Sequence, residues 1–105
     1  MLSLDKIKEA VAIVCNKYDV DRAYLFGSYS RGEADDASDV DIRIDSKKDN
    51  PKLKSILKVC AFQCELEDLL HKDVQIITCL PEPDDKLNYF FRENVLRDEI
   101  LIYAR

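Results

Sequence analysis

Leu4, Ile7, Val11 and Val14 recur at intervals of three and four, with Lys6, Lys8, Glu9 and Lys17 between them. That spacing lines the apolar side chains along one face and predicts an amphipathic helix over residues 4–18, ended by Asp19. Ala23-Tyr24-Leu25-Phe26 is a short aromatic and apolar run that stops at Gly27, the pattern of a buried strand running into a turn. Val40-Asp41-Ile42-Arg43-Ile44-Asp45 alternates apolar and charged residues, so a second strand there has one face on the core and one exposed. Asn50-Pro51 punctuates the chain, and from Leu53 the positions Ile56, Leu57, Cys60, Ala61, Cys64, Leu66 and Leu69 predict a long helix. Val74 to Thr78 reads as a third strand, closed by Pro81 and Pro83. Leu87, Phe90, Phe91, Val95, Leu96, Ile100 and Leu101 then predict a final helix from Lys86 to the end, with an unusually wide apolar band. The order of helix, strand, short helix, strand, helix, strand, helix predicts an α+β (α/β two-layer) fold, a small mixed β-sheet covered by helices.

Composition narrows the function classes. With 105 residues and a hydrophobic fraction of 47%, the chain is expected to form a single domain over residues 1–105 with one core. Lys and Arg number 16 against 21 Asp and Glu, and the signs are interspersed, so the net charge of -5 reads as a solvated surface. An acidic chain has no broad surface for gripping a nucleic-acid backbone, because that grip neutralises phosphates with cations. A small anionic ligand bridged by metal ions stays compatible with this balance. The early apolar run Val11 to Cys15 is too short for a membrane span or signal-peptide core, which predicts no membrane association and a cytoplasmic location. Cys15, Cys60, Cys64 and Cys79 read as free thiols in a chain with enough apolar residues to fold without staples. Cys60 and Cys64 lie one helical turn apart without a His or carboxylate cluster of zinc spacing, and are expected at half-buried helix positions.

The two glycines of the chain stand five residues apart, in Gly27-Ser28-Tyr29-Ser30-Arg31-Gly32. Glycine serves where the backbone needs positive φ or where another group comes very close. A strand that ends at Gly-Ser before a short helix exposes backbone N–H groups beside the Ser28 hydroxyl, a suitable cradle for nucleotide phosphates, to which Arg31 adds a cation. Taken alone, the hexapeptide equally describes a plain strand-to-helix turn capped by Ser28. Eleven residues after Ser28 comes Ser38-Asp39-Val40-Asp41. Residues two apart on a strand share a face, so both carboxylates can reach one divalent cation or two adjacent ones. Mg2+ suits them because it takes one or two carboxylates and completes its shell with phosphate and water.

Together the two elements resemble the signature of the DNA polymerase β-like nucleotidyltransferase superfamily: Gly-Ser, two variable residues, Arg-Gly, then Ser-Asp-x-Asp. Within it, the chain looks like the minimal nucleotidyltransferases, and the likeness spans nearly the whole chain, from the first helix to a final helix ending in Ile102-Tyr103. The resemblance implies that Gly27, Ser28, Arg31 and Gly32 bind a nucleoside triphosphate, with ATP as the expected substrate. It implies that Asp39 and Asp41 hold two Mg2+ ions, and that an acceptor hydroxyl attacks the α-phosphate in line, as in two-metal phosphoryl chemistry. Many minimal nucleotidyltransferases pair with a small helical HEPN protein in toxin–antitoxin modules and modify a toxin tyrosine, so such a partner is expected here. A homo-oligomer is left open.

The family pattern places a third catalytic carboxylate on a later strand. Aligned without a gap on Leu69-Leu70-His71-Lys72-Asp73-Val74-Gln75-Ile76-Ile77, it puts Gln75 at that position. An amide cannot act as a base near neutral pH. Asp73 lies two residues earlier on the same face and is the candidate substitute, while His71 reads as a surface residue at the helix-to-strand connection. Two readings follow: an enzyme transferring AMP to a hydroxyl through Asp39, Asp41 and Asp73, or a degenerate module that binds nucleotide or partner without catalysis.

Overall fold

The computed structural model describes residues 2–78 and 89–105. Helix α1 spans Leu4–Lys17; the Ser3 hydroxyl caps it by accepting from the Lys6 N–H at 3.2 Å, and Asp5 sits in the first turn, where the helix dipole favours an anion. Tyr18 closes it, and Asp19 follows in the left-handed region (φ 57). Strand β1 (Arg22–Phe26) then leads into the one-turn helix α2 (Ser28–Arg31), and β2 covers Val40–Asp45. Pro51–Leu53 forms a 3₁₀ turn whose start is capped by Asn50, so the long helix, α3, begins at Ile56 and runs to Leu70. Strand β3 (Val74–Ile77), helix α4 (Tyr89–Asp98) and strand β4 (Ile100–Ala104) complete the order. Cys79, Pro81, Pro83 and the expected helix start at Lys86 lie outside the described residues.

The four strands form one mixed sheet in the order β3-β2-β1-β4, with β1 antiparallel to both β2 and β4 and β2 parallel to β3. A parallel neighbour needs a crossover, and α3 supplies it. Helices α1 and α3 cover one face. Ile7, Val11, Leu25, Ile42, Phe62 and Leu66 are wholly excluded from water there, each worth about 1.5–3 kcal/mol of burial. Tyr18 packs edge-on against Phe62, with ring centroids 5.3 Å apart. Alternation in β2 sends Val40, Ile42 and Ile44 into this core and turns Asp41 and Arg43 to the opposite face, as the sequence pattern predicts.

Two sequence expectations are corrected. The final helix does not run to the end of the chain: α4 stops at Asp98, and Ile100–Ala104, which includes Ile102 and Tyr103, is a strand on the outer edge of β1. The run Ile-Leu-Ile-Tyr is β-branched and aromatic, and the free N–H and C=O groups of β1 select it as a ladder partner. Helical spacing continues into the strand by coincidence. The second correction concerns α3, whose buried residues are Phe62, Leu66 and Leu70, four residues apart. Cys60 and Cys64 are exposed rather than half-buried. Helix α3 carries apolar residues on two faces, and its contact with α1 and the sheet decides which one is buried.

Candidate active site

Antiparallel pairing opposes Phe26 to Asp41, so β1 delivers Gly27 directly beside the Asp41 side chain. Gly27 adopts φ 75, ψ -153, a region open essentially to glycine alone. A Cβ there would overlap the Asp41 Oδ2 and stand 3.2 Å from its Cγ. Both reasons for a glycine, conformation and close approach, therefore operate at this residue. The Gly27 carbonyl accepts from the Ser30 N–H at 3.2 Å, the Arg31 N–H at 3.3 Å and the Ser30 hydroxyl at 2.8 Å, which folds the hexapeptide into α2. Gly27, not Ser28, occupies the cap position, and the Ser28 hydroxyl makes no hydrogen bond among the described residues. Gly32 ends the turn in the left-handed region (φ 73) with open space around it.

Asp39 and Asp41 flank the fully buried Val40, and the period of two turns both carboxylates away from the core. Burial, and secondarily the charge of Asp39, raise the Asp41 carboxyl above the ordinary 3.8, while the Arg31 guanidinium pulls it the other way. A carboxylate pair with this mutual repulsion and partial burial suits a divalent cation, whose charge offsets both costs. Among the described residues no group of three or more His, Cys, Asp or Glu is arranged to hold a metal ion.

Residues beyond the motif hold Asp39 in place. The Asp35 carboxylate accepts from the Ala37 N–H at 2.9 Å, and the Ser38 hydroxyl accepts from the Asp35 N–H at 3.0 Å, so a local turn sets the start of β2. Lys72 donates to the carbonyls of Asp36 and, at 3.1 Å, Ser38, tying that turn to the connection before β3. Asp35 and Lys72 escaped the sequence reading. Asp35, three residues before Ser38, carried a turn signal that could have been read.

Arg31 pairs with Asp98 at 3.0 Å and with Glu33 at 3.0 Å, and these two carboxylates raise its already high pKa. Its guanidinium therefore faces a protein anion from the end of α4 as well as Asp41. Next to it, Arg43 donates twice to Glu99, at 2.9 and 3.0 Å, and stacks over the Tyr24 ring at 4.2 Å. No sequence signal linked Asp98 or Glu99 to the motif, because they lie more than fifty residues away.

Parallel pairing sets Gln75 beside Asp41, and the Val40 N–H donates to the Asp73 carbonyl at 3.0 Å. Gln75 is thus the β3 neighbour of the second carboxylate. An open cleft of about 510 Å³ brings Asp73 and His71 together with Asp39, Ser38 and Lys72. Asp41, Gly27 and Ser28 do not line it. His71 ends α3 in the left-handed region (φ 54), its N–H donating to the Glu67 carbonyl at 2.8 Å.

The family model described as "Polymerase beta, Nucleotidyltransferase" matches residues 6–105. The chain belongs to this nucleotidyltransferase family. A Methanocaldococcus jannaschii protein named a "putative protein adenylyltransferase" is 34% identical over 77 residues, covering 73% of this chain and 78% of the relative. A solved structure described as a "putative minimal nucleotidyltransferase" superposes with a TM-score of 0.69 at 28% identity, covering 94% of this chain and 95% of that one. A chain from the complex of tri-AMPylated Shewanella oneidensis HEPN toxin with MNT antitoxin shares the fold, with a TM-score of 0.66 at 15% identity over 98% of this chain and 74% of that one.

Proposed function

We propose that this nucleotidyltransferase transfers AMP from ATP to a hydroxyl group of a partner protein. The observation that carries the reading is the contact of Gly27 with Asp41, which sets a turn with free N–H groups and a free Ser28 hydroxyl against a carboxylate pair. Gly27 and Ser28 bind the terminal phosphates, and Gly32 closes the turn. Arg31 exchanges its exposed Glu33 contact for a phosphate oxygen while Asp98 keeps it oriented. Asp39 and Asp41 are the ligands for two Mg2+ ions, which when bound supply charge neutralisation at the attacking and leaving oxygens. Asp73, in the cleft that Asp39 lines, takes the proton of the acceptor hydroxyl. The name of the archaeal relative supports a protein acceptor, and the AMPylated toxin in the Shewanella complex supports a HEPN-type partner held as an antitoxin holds its toxin. A second reading, binding without transfer, is favoured by one observation: the amide of Gln75 stands beside Asp41 where a third carboxylate is expected.

Calorimetric titration with ATP and Mg2+, beside the Asp39→Asn, Asp41→Asn double variant, tests the site. Mass analysis of a co-expressed helical partner tests the transfer. Metal-dependent binding that the double variant loses, with an AMP-sized mass on the partner, is the expected result. Binding without added mass would leave the second reading, and no binding would overturn the phosphate site.

A further inference from the structure

Asp39 and Asp73, the carboxylates assigned to metal and to the acceptor proton, stand just before the first residues of the parallel strands β2 and β3. Strand ends are where pairing is weakest, because local opening begins at the termini of elements. A backbone bond joins the two chains there, from the Val40 N–H to the Asp73 carbonyl at 3.0 Å. The Glu67 carboxylate accepts from the Val74 N–H at 3.0 Å, which fixes where β3 begins. Nothing in these two bonds fixes the segment that leads into Asp39.

Lys72 reaches that segment from the other side of the cleft. Its ammonium group donates to the Asp36 carbonyl and, at 3.1 Å, to the Ser38 carbonyl. Among the described lining residues it is the one lysine or arginine, against the five carboxylates of Asp36, Asp39, Glu67, Asp68 and Asp73. An ion pair is the common use of a lysine in such surroundings, yet Lys72 pairs with neither Asp39 nor Asp73 among the described residues. Its charge-assisted bonds, stronger than neutral ones, go to the backbone instead. One acceptor belongs to the residue before Asp39, and the donor belongs to the residue before Asp73. A single side chain thus bridges the neighbours of both carboxylates and leaves the carboxylates themselves to the cleft.

We propose that Lys72 is a positioning residue: by holding the Asp36 and Ser38 carbonyls it fixes the Asp39 carboxylate relative to Asp41 and Asp73, and so sets the site's affinity for a divalent cation. The inference rests on the reading of Asp39 and Asp41 as ligands of Mg2+. Groups that orient metal ligands from outside the coordination shell govern affinity by about 10–100-fold. The charge of Lys72 acts in the opposite direction. An ammonium group beside Asp39 repels a cation, so removing it without moving Asp39 would tighten metal binding. The sign of the change therefore separates a positioning role from a bystander charge.

Mn2+, which suits the same oxygen ligands as Mg2+, is titrated without nucleotide and followed by paramagnetic broadening of the amide signals of Val40 and Asp41. Hydrogen exchange at the Val40 amide is measured on metal-free samples. Lys72 lies outside the core, so Lys72→Met, which keeps the stem and removes the donors, retains the fold, and its amide spectrum checks this. It should weaken Mn2+ binding by about tenfold or more. It should also speed exchange at Val40, while the amides of β1, flanked by strands on both sides, keep their rates. Lys72→Arg, which keeps the charge and the donors, should stay close to wild type in both readings. A Lys72→Met protein that binds Mn2+ as tightly as wild type or more so, or whose Val40 amide exchanges no faster, would overturn the inference and leave the metal site standing. A wild type without broadening near Asp39 and Asp41 would overturn the metal site itself, and the inference with it.

Discussion

Gly27 and Gly32 look interchangeable as letters, yet their surroundings differ. Gly27 combines a glycine-only conformation with the Asp41 carboxylate at the place of a Cβ, whereas Gly32 needs positive φ alone. Gly27→Ala is therefore expected to cost about 2–4 kcal/mol and to lower nucleotide affinity, and Gly32→Ala about 1 kcal/mol with affinity retained, by urea denaturation and calorimetry. Asp41 supplies a second test. Its carboxyl holds a proton more tightly in the folded chain than in the unfolded one, because of burial first and the Asp39 charge second. Native protein thus binds more protons, and this group's contribution to stability falls as pH rises from the ordinary carboxylate value through the raised one. In metal-free buffer Asp41→Asn should be more stable than wild type at neutral pH, with the gap closing towards acid. Thermal denaturation across that range checks it; a gap that widens towards acid would contradict the sign. Both residues were legible as a motif, but the contact between them was not, because the opposition of Phe26 to Asp41 is a property of strand pairing.

At the scale of elements, β2 was legible to the residue, since one buried face and one exposed face give an unambiguous alternation. Helix α3 was legible as a helix but not in its orientation: its sequence offers two apolar faces, and packing against α1 and the sheet selects Phe62, Leu66 and Leu70. The last element was misread as helix because Val95, Leu96 and Ile100 keep helical spacing across a boundary that only the open edge of β1 defines. The Arg43–Glu99 pair, with both side chains 15% exposed, pins that boundary by linking β2 to the start of β4. Glu99→Gln is expected to cost about 2–4 kcal/mol by leaving Arg43 without its carboxylate in a low-exposure site. Chemical denaturation, beside an Arg43→Met, Glu99→Leu double variant that removes both charges and is expected to lose less, measures the pair.

For the whole molecule, the sheet order decides which distant residues meet. Register sets Gln75 beside Asp41, and the cleft sets Asp73 beside Asp39. If Asp73 serves as the base, Asp73→Asn should lower the transfer rate by about 100-fold or more with ATP binding retained. Gln75→Asp, which restores a carboxylate next to the pair, should strengthen Mg2+ binding in calorimetry and recover part of the rate lost in Asp73→Asn. Failure of Asp73→Asn to slow transfer would move the base elsewhere.

The α+β class, the glycine turn and the carboxylate pair were legible from the chain alone, because each depends on local periodicity or on residues close together along it. That Gly27 abuts Asp41, that Arg31 answers to Asp98, that the chain's last stretch is a strand, and which face of α3 meets the core all depend on the folded chain. Those are choices among partners far apart in sequence. Sheet pairing and core burial settle them, and no short stretch of residues encodes either one.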